Sequence, residues 1–181
     1  MAKPQGVNTK VIAEQLKYNL DSDQAKYPGI EVFYDHGDSS KPEVCEPTTY
    51  MGRRYGGDAT LAVVDIVVVK DKKIFLAIEI EEGTFRPKTV IGDVFGIALA
   101  DKMRIQGEPY SINDTIIIIA ITEDGKGKQS AKYARLERHL DRYFKANPSK
   151  IVKKVRIISC PIDDLVRRIE RLIRLETGKY T

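Results

Sequence analysis

Apolar residues recur near helical spacing in VIAEQLKYNL, where Val11, Ile12, Leu16 and Leu20 predict a helix that Asn8 or Thr9 would cap and that ends before Pro28 and Gly29. A short strand, IEVFY, follows. DHGDSSKPEVCEPTTYMGRRYGGD is rich in Gly, Pro, Ser and Thr and reads as a long loop, of the kind that is usually functional or disordered. Leu61 to Val69 and Ile74 to Glu81 are nearly continuous in β-branched and aliphatic residues, and with Lys70, Asp71, Lys72 and Lys73 between them they predict a β-hairpin. Pro87 then leads into KTVIGDVFGIALADKM, a helix with Val90, Ile91, Val94 and Leu99 on its apolar face and Gly92 and Gly96 suited to close packing. TIIIIAIT has no polar alternation and fits a central strand covered on both faces. A helix from about Gln129 to Lys145, a strand VRIIS and a last helix opened by Pro161, Asp163 and Asp164 complete the order. The expectation is an α/β fold in which a mixed sheet of about five strands is flanked by helices.

The chain of 181 residues, 42% hydrophobic, is long enough to bury a core and short enough to be one domain over 1–181. Cys45 and Cys160 match no zinc or redox spacing, and the longest apolar run, IIIIAI, is far too short for a membrane span of roughly 20 helical residues. A cytoplasmic protein with no membrane partner is expected. A formal charge of +4 is compatible with a polyanionic partner without requiring one.

The hairpin carries an anomaly. Alternation puts Ile74, Leu76, Ile78 and Ile80 on one face and Phe75, Ala77, Glu79 and Glu81 on the other, while Asp65 interrupts an otherwise apolar preceding strand. A loop of Asp71, Lys72 and Lys73 would set Asp65 directly opposite Glu79, with Cβ atoms roughly 5 Å apart. A two-residue loop of Asp71 and Lys72 would oppose Asp65 to Ile78 and bury it without a partner, so the first register is expected. Facing carboxylates in apolar surroundings are costly unless a cation sits among them, and clustered oxygen ligands suit Mg²⁺, with Mn²⁺ able to substitute.

On these residues the chain resembles the PD-(D/E)XK nuclease superfamily, the restriction-endonuclease-like fold. Asp65 looks like the acidic residue of the second core strand, and Glu79-Ile80-Glu81 looks like the (D/E)XK tripeptide of the third, with Glu81 at the lysine position. The resemblance implies Mg²⁺-dependent hydrolysis of DNA phosphodiesters, with Asp65, Glu79 and Glu81 as metal ligands and catalytic residues. It further implies Lys88 as a migrated lysine, Glu14 as an additional acidic residue on the first helix, and a homodimer if both strands are cut. Asp58 is a rival for the first acidic position. The alternative is a nuclease fold that has lost catalysis and only binds DNA, alone or within a larger complex; RNA stays open as a substrate.

Arg53 and Arg54, beside Tyr55, and Lys126 and Lys128 are candidate nucleic-acid contacts. The GxxxxGK[ST] spacing is absent around Lys126, which excludes a nucleotide-binding loop there. Arg167, Arg168, Arg171 and Arg174 line the outside of the last helix as a second candidate footprint. His36 and His139 fall in no ligand or triad pattern and are read as structural.

Overall fold

A computed structural model describes residues 6–52, 57–82, 86–122 and 131–177. Five strands form the main sheet in the order β1 (Ile30–Tyr34), β4 (Ile66–Lys70), β5 (Lys73–Glu81), β8 (Thr115–Ile121), β9 (Val152–Ser159). The β4 strand runs antiparallel to both β1 and β5, whereas β8 and β9 run parallel to β5. The fully buried run of β8 sits next to β5, as its unbroken hydrophobicity requires.

Each face of this sheet carries its own core. Ile66, Val68, Leu76, Ile78, Ile118 and Ala120 pack with helices α1 (Val7–Ser22) and α4 (Ile162–Thr177). Val67, Val69, Ala77, Ile117 and Ile119 pack with α2 (Pro87–Ala98) and α3 (Ala131–Ala146). The α1 helix begins at Val7 behind Gly6 in a left-handed conformation, so neither Asn8 nor Thr9 caps it, and Val11 lies outside the buried stripe of Thr9, Ile12, Ala13, Leu16 and Leu20.

A second, four-stranded antiparallel sheet was not expected. Its order is β3 (Thr60–Val63), β2 (Thr48–Tyr50), β6 (Lys102–Ile105), β7 (Glu108–Tyr110). The long loop therefore contains a strand, the α2 helix stops at Ala98 rather than reaching Met103, and the predicted strand Leu61 to Val69 is two strands parted at Val64 and Asp65. Gly96 packs so closely on β3 that an added Cβ would lie 3.0 Å from the Ala62 Cβ, whereas Gly92 has nothing within 4 Å.

The hairpin reconciles the two alternative registers. Lys70 pairs with Lys73, so Asp71 and Lys72 form a two-residue turn with φ of 52° and 57°. A bulge then opposes Val69 to Ile74 and Val68 to Leu76, which carries the remaining ladder to Ile66 opposite Ile78. Continued by one residue, that ladder brings Asp65 beside Glu79. The bulge also corrects the expected faces, for Ile74 joins the α2 side and Phe75 the α1 side. Among the described residues no helix is long and apolar enough to cross a membrane.

Lys72 carries a Cβ in a left-handed conformation that glycine adopts freely. Lys72→Gly should stabilise the protein by about 0.5 kcal/mol, the left-handed strain relieved less the entropy glycine brings, read as a higher urea midpoint at unchanged slope.

Candidate active site: a cleft of four carboxyl groups

The C-terminal ends of the parallel strands β5 and β8 meet the first turn of α1. The backbone N–H of Asn8, one of the donors a helix start leaves unpaired, donates to Glu82 Oε1 at 2.7 Å, and Asn8 Nδ2 donates to Thr122 Oγ1 at 2.9 Å. Beside this junction opens a cleft of about 480 Å³, lined by Asp65, Glu79, Glu81 and Asp93 together with Gly6, Thr9, His36, Ile80, Glu82 and Thr89.

Each carboxyl arrives by a different route. Asp65 stands where the chain leaves the second sheet for the first, its carbonyl accepting the Asp35 N–H at 2.9 Å. Its Oδ2 accepts the Ile80 N–H at 2.7 Å. Glu79 and Glu81 project from β5 toward the α2 side, and Glu79 is only 8% exposed. Asp93 and Thr89, four residues apart on α2, face the strand end together.

Burial pushes the Glu79 carboxyl well above the ordinary range, and the charges of Asp65 and Asp93 push it further. Asp65 is also raised by burial, opposed by the Ile80 N–H and by His36. Burial, then the charge and hydrogen bond of Glu81, raise Asp93 to about 7. In two pairs, Glu79 with Asp65 and Asp93 with Glu81, the second carboxylate raises the proton affinity of the first. Like charges this close disfavour ionisation of both. Among the described residues no three His, Cys, Asp or Glu side chains are arranged around one point so as to hold a metal ion.

The remaining sequence candidates lie elsewhere. Glu14 pairs with Lys41 at 2.9 Å, which lowers its carboxyl below the usual value, and does not line the cleft. Lys88 is exposed in the first turn of α2 and does not line it either. Asp58 is exposed in the short turn Gly57–Ala59 that leads into β3, so the strand-end position belongs to Asp65. Arg53, Arg54, Tyr55, Lys126 and Lys128 lie outside the described residues.

Two cleft residues were not singled out from sequence. Asp93 is the lone acid in a run of apolar and glycine residues on α2, a signal of the same kind as Asp65 on its strand. His36 had been read as structural, yet it lines the cleft with φ of 61°, its Nε2 3.4 Å from Asp35 Oδ2. Its ring packs on Gly6 so closely that any Cβ there would overlap it. The sequence around His36 shows only the neighbouring Asp35, because Gly6 and the rest of the cleft come from distant chain segments.

Groups that hold protons more tightly folded than unfolded make the native state the greater proton binder. Their contribution is intact below the ordinary carboxylate range and is lost as pH rises through their folded values, about 7 for Asp93. Without divalent ions the melting temperature should therefore fall between about pH 5 and 8. Asp93→Asn should raise it at the alkaline end and leave the acid end unchanged, as measured by differential scanning fluorimetry. No protein-family model, no curated protein and no solved structure matches this chain, so the chemistry of the cleft is read from its own residues.

Proposed function

We propose that the cleft is the active site of a metal-dependent endonuclease that hydrolyses DNA phosphodiester bonds. The observation that carries this reading is the gathering of Asp65, Glu79, Glu81 and Asp93, beside Glu82, at one sheet end, where burial and mutual repulsion raise the proton affinity of Glu79 and Asp93. Such a set is relieved by a cation. With the four strands of the second sheet set aside, the order α1, β1, β4, β5, α2, β8 supports the likeness to the PD-(D/E)XK superfamily's αβββαβ arrangement.

The donor chemistry suits Mg²⁺ or Mn²⁺, since the lining acids offer carboxylate oxygens and the cleft leaves room for water and a phosphate. The carboxyls would turn onto the ion as it binds. Asp65, Glu79 and Glu81 would hold the ion, with Asp93 beside them. A divalent ion there lowers the pKa of bound water and neutralises charge on the phosphoryl oxygens. The chain's own groups supply the rest. The Ile80 N–H fixes the Asp65 carboxylate, α2 brings Asp93 against Glu81 as a proton acceptor, and His36 offers an N–H to a phosphate oxygen. Cutting both strands requires two such sites, hence a homodimer.

A binding-only reading is favoured by one observation: among the described residues no lysine lines the cleft, although the superfamily's motif places one at the position of Glu81. One assay separates the two. Supercoiled plasmid, linear duplex and branched DNA are incubated with Mg²⁺, Mn²⁺ or EDTA. Metal-dependent cleavage is expected, reduced about 100-fold or more by Glu79→Gln or Asp65→Asn and left largely intact by Lys88→Ala or Glu14→Gln. DNA binding that weakens with salt, without product under any metal, would transfer the protein to the binding-only class.

A further inference from the structure

The α3 helix turns its apolar side to the sheet, burying Tyr133 and Leu140 with Leu136 and Phe144 packed beside them. Glu137 is drawn inward as well, accepting from Arg156 Nη1 at 2.9 Å and from the Ile157 N–H at 2.8 Å. What remains outside is cationic. Arg135, Arg138, Arg142 and Lys145 are all exposed. At 3.6 residues per turn they fall within roughly 80° of arc, nearly opposite the buried side, and extend over about 15 Å of helix axis.

Among the described residues, eight cations on other elements are held in ion pairs. Lys17, Lys26, Lys41, Lys72, Lys73, Lys153, Arg156 and Arg167 each sit within ion-pair distance of a carboxylate. Among the described residues no carboxylate lies within that distance of the four α3 cations. The α4 arginines differ, because Asp163, Asp164, Glu170 and Glu176 share their helix, Arg167 pairs with Asp164, and Arg174 donates to the Tyr27 hydroxyl.

We infer that the outer face of α3 is a contact surface for the phosphate backbone of double-stranded nucleic acid. The charge pattern selects this occupant. A linear row of unpaired cations over about 15 Å matches a polyanion whose phosphates advance 3.4 Å per strand step, about four steps. A membrane surface would need large apolar side chains in the same arc to enter the lipid; those of α3 are committed to the core, except Tyr143, which lies outside that arc. A protein partner would need an apolar centre that the row lacks. The α3 helix starts after β8, at the sheet end that carries the carboxyl cleft, so the row leads away from the proposed site of cleavage. The inference rests on DNA as the partner in the proposed function but not on the chemistry of the cleft.

The test is fluorescence anisotropy with a labelled duplex of about 20 base pairs in EDTA, between about 50 and 200 mM salt, so that loss of cleavage chemistry cannot affect the result. Replacing Arg135, Arg138, Arg142 and Lys145 together by Gln should lower affinity at least about tenfold and reduce the slope of log K against log salt by about 3 to 4. Arg135→Lys, Arg138→Lys and Arg142→Lys together keep the charge and should keep the slope. Arg167→Gln, Arg168→Gln and Arg171→Gln on α4 should bind as the parent does. Absence of duplex binding by the parent protein overturns the inference. So does an unchanged slope in the α3 Gln variant, an equal loss in the α4 or Lys variants, or equally tight binding to phosphatidylserine vesicles.

Discussion

The burial of Glu79 beside Asp65, near the end of β5, is the constraint on which the cleft turns. Glu79 lies in β5, the central strand of the main sheet, between antiparallel β4 and the buried parallel strand β8, and water cannot reach it freely. Alone it would be a severe liability. With Asp65 beside it, the proton affinity of Glu79 rises further, and the Ile80 N–H holds the Asp65 carboxyl in place. The same device recurs one residue pair further along the strand, where Asp93 from α2 meets Glu81. A fold tolerates two such pairs in one cleft most readily when ionisation there is matched by a cation.

The surrounding architecture serves this placement. The break at Val64 and Asp65 frees the aspartate from any ladder so that its side chain can turn to β5, and the bulge in β4 and β5 lets a two-residue turn coexist with a register that brings Asp65 to Glu79. The first turn of α1 seals the adjoining corner through Asn8, and Gly6 leaves room for the His36 ring. The α2 and α3 helices share one face of the sheet, joined through Phe95 against Tyr143 and Phe144. The cleft and the basic row thus belong to one side of the molecule.

Much of this was legible along the chain where local pattern decides it. The five main strands, the order of helices, and the triad Asp65, Glu79 and Glu81 all follow from apolar periodicity and from acids out of place within it. Short strands such as Thr48–Tyr50 and Glu108–Tyr110 were invisible, because three residues carry no period and gain their pairing from partners far along the chain. The bulge was hidden for the same reason: its position is set by packing on both faces. Glu14 and Lys88 illustrate the opposite error, since a charged residue near the right element says nothing of its direction. Glu14 turns to Lys41, while Asp93, one turn beyond Thr89 on the neighbouring helix, turns to the cleft.

The central claim is that the four carboxyls form a divalent-cation site. Diffraction from crystals grown with Mn²⁺, recorded where manganese scatters anomalously, tests it most directly. The account predicts an anomalous peak in the cleft, ligated by at least two of Asp65, Glu79, Glu81 and Asp93, with the carboxyls turned onto the ion. Saturating Mn²⁺ with no peak there, and both carboxyl pairs intact, would contradict it.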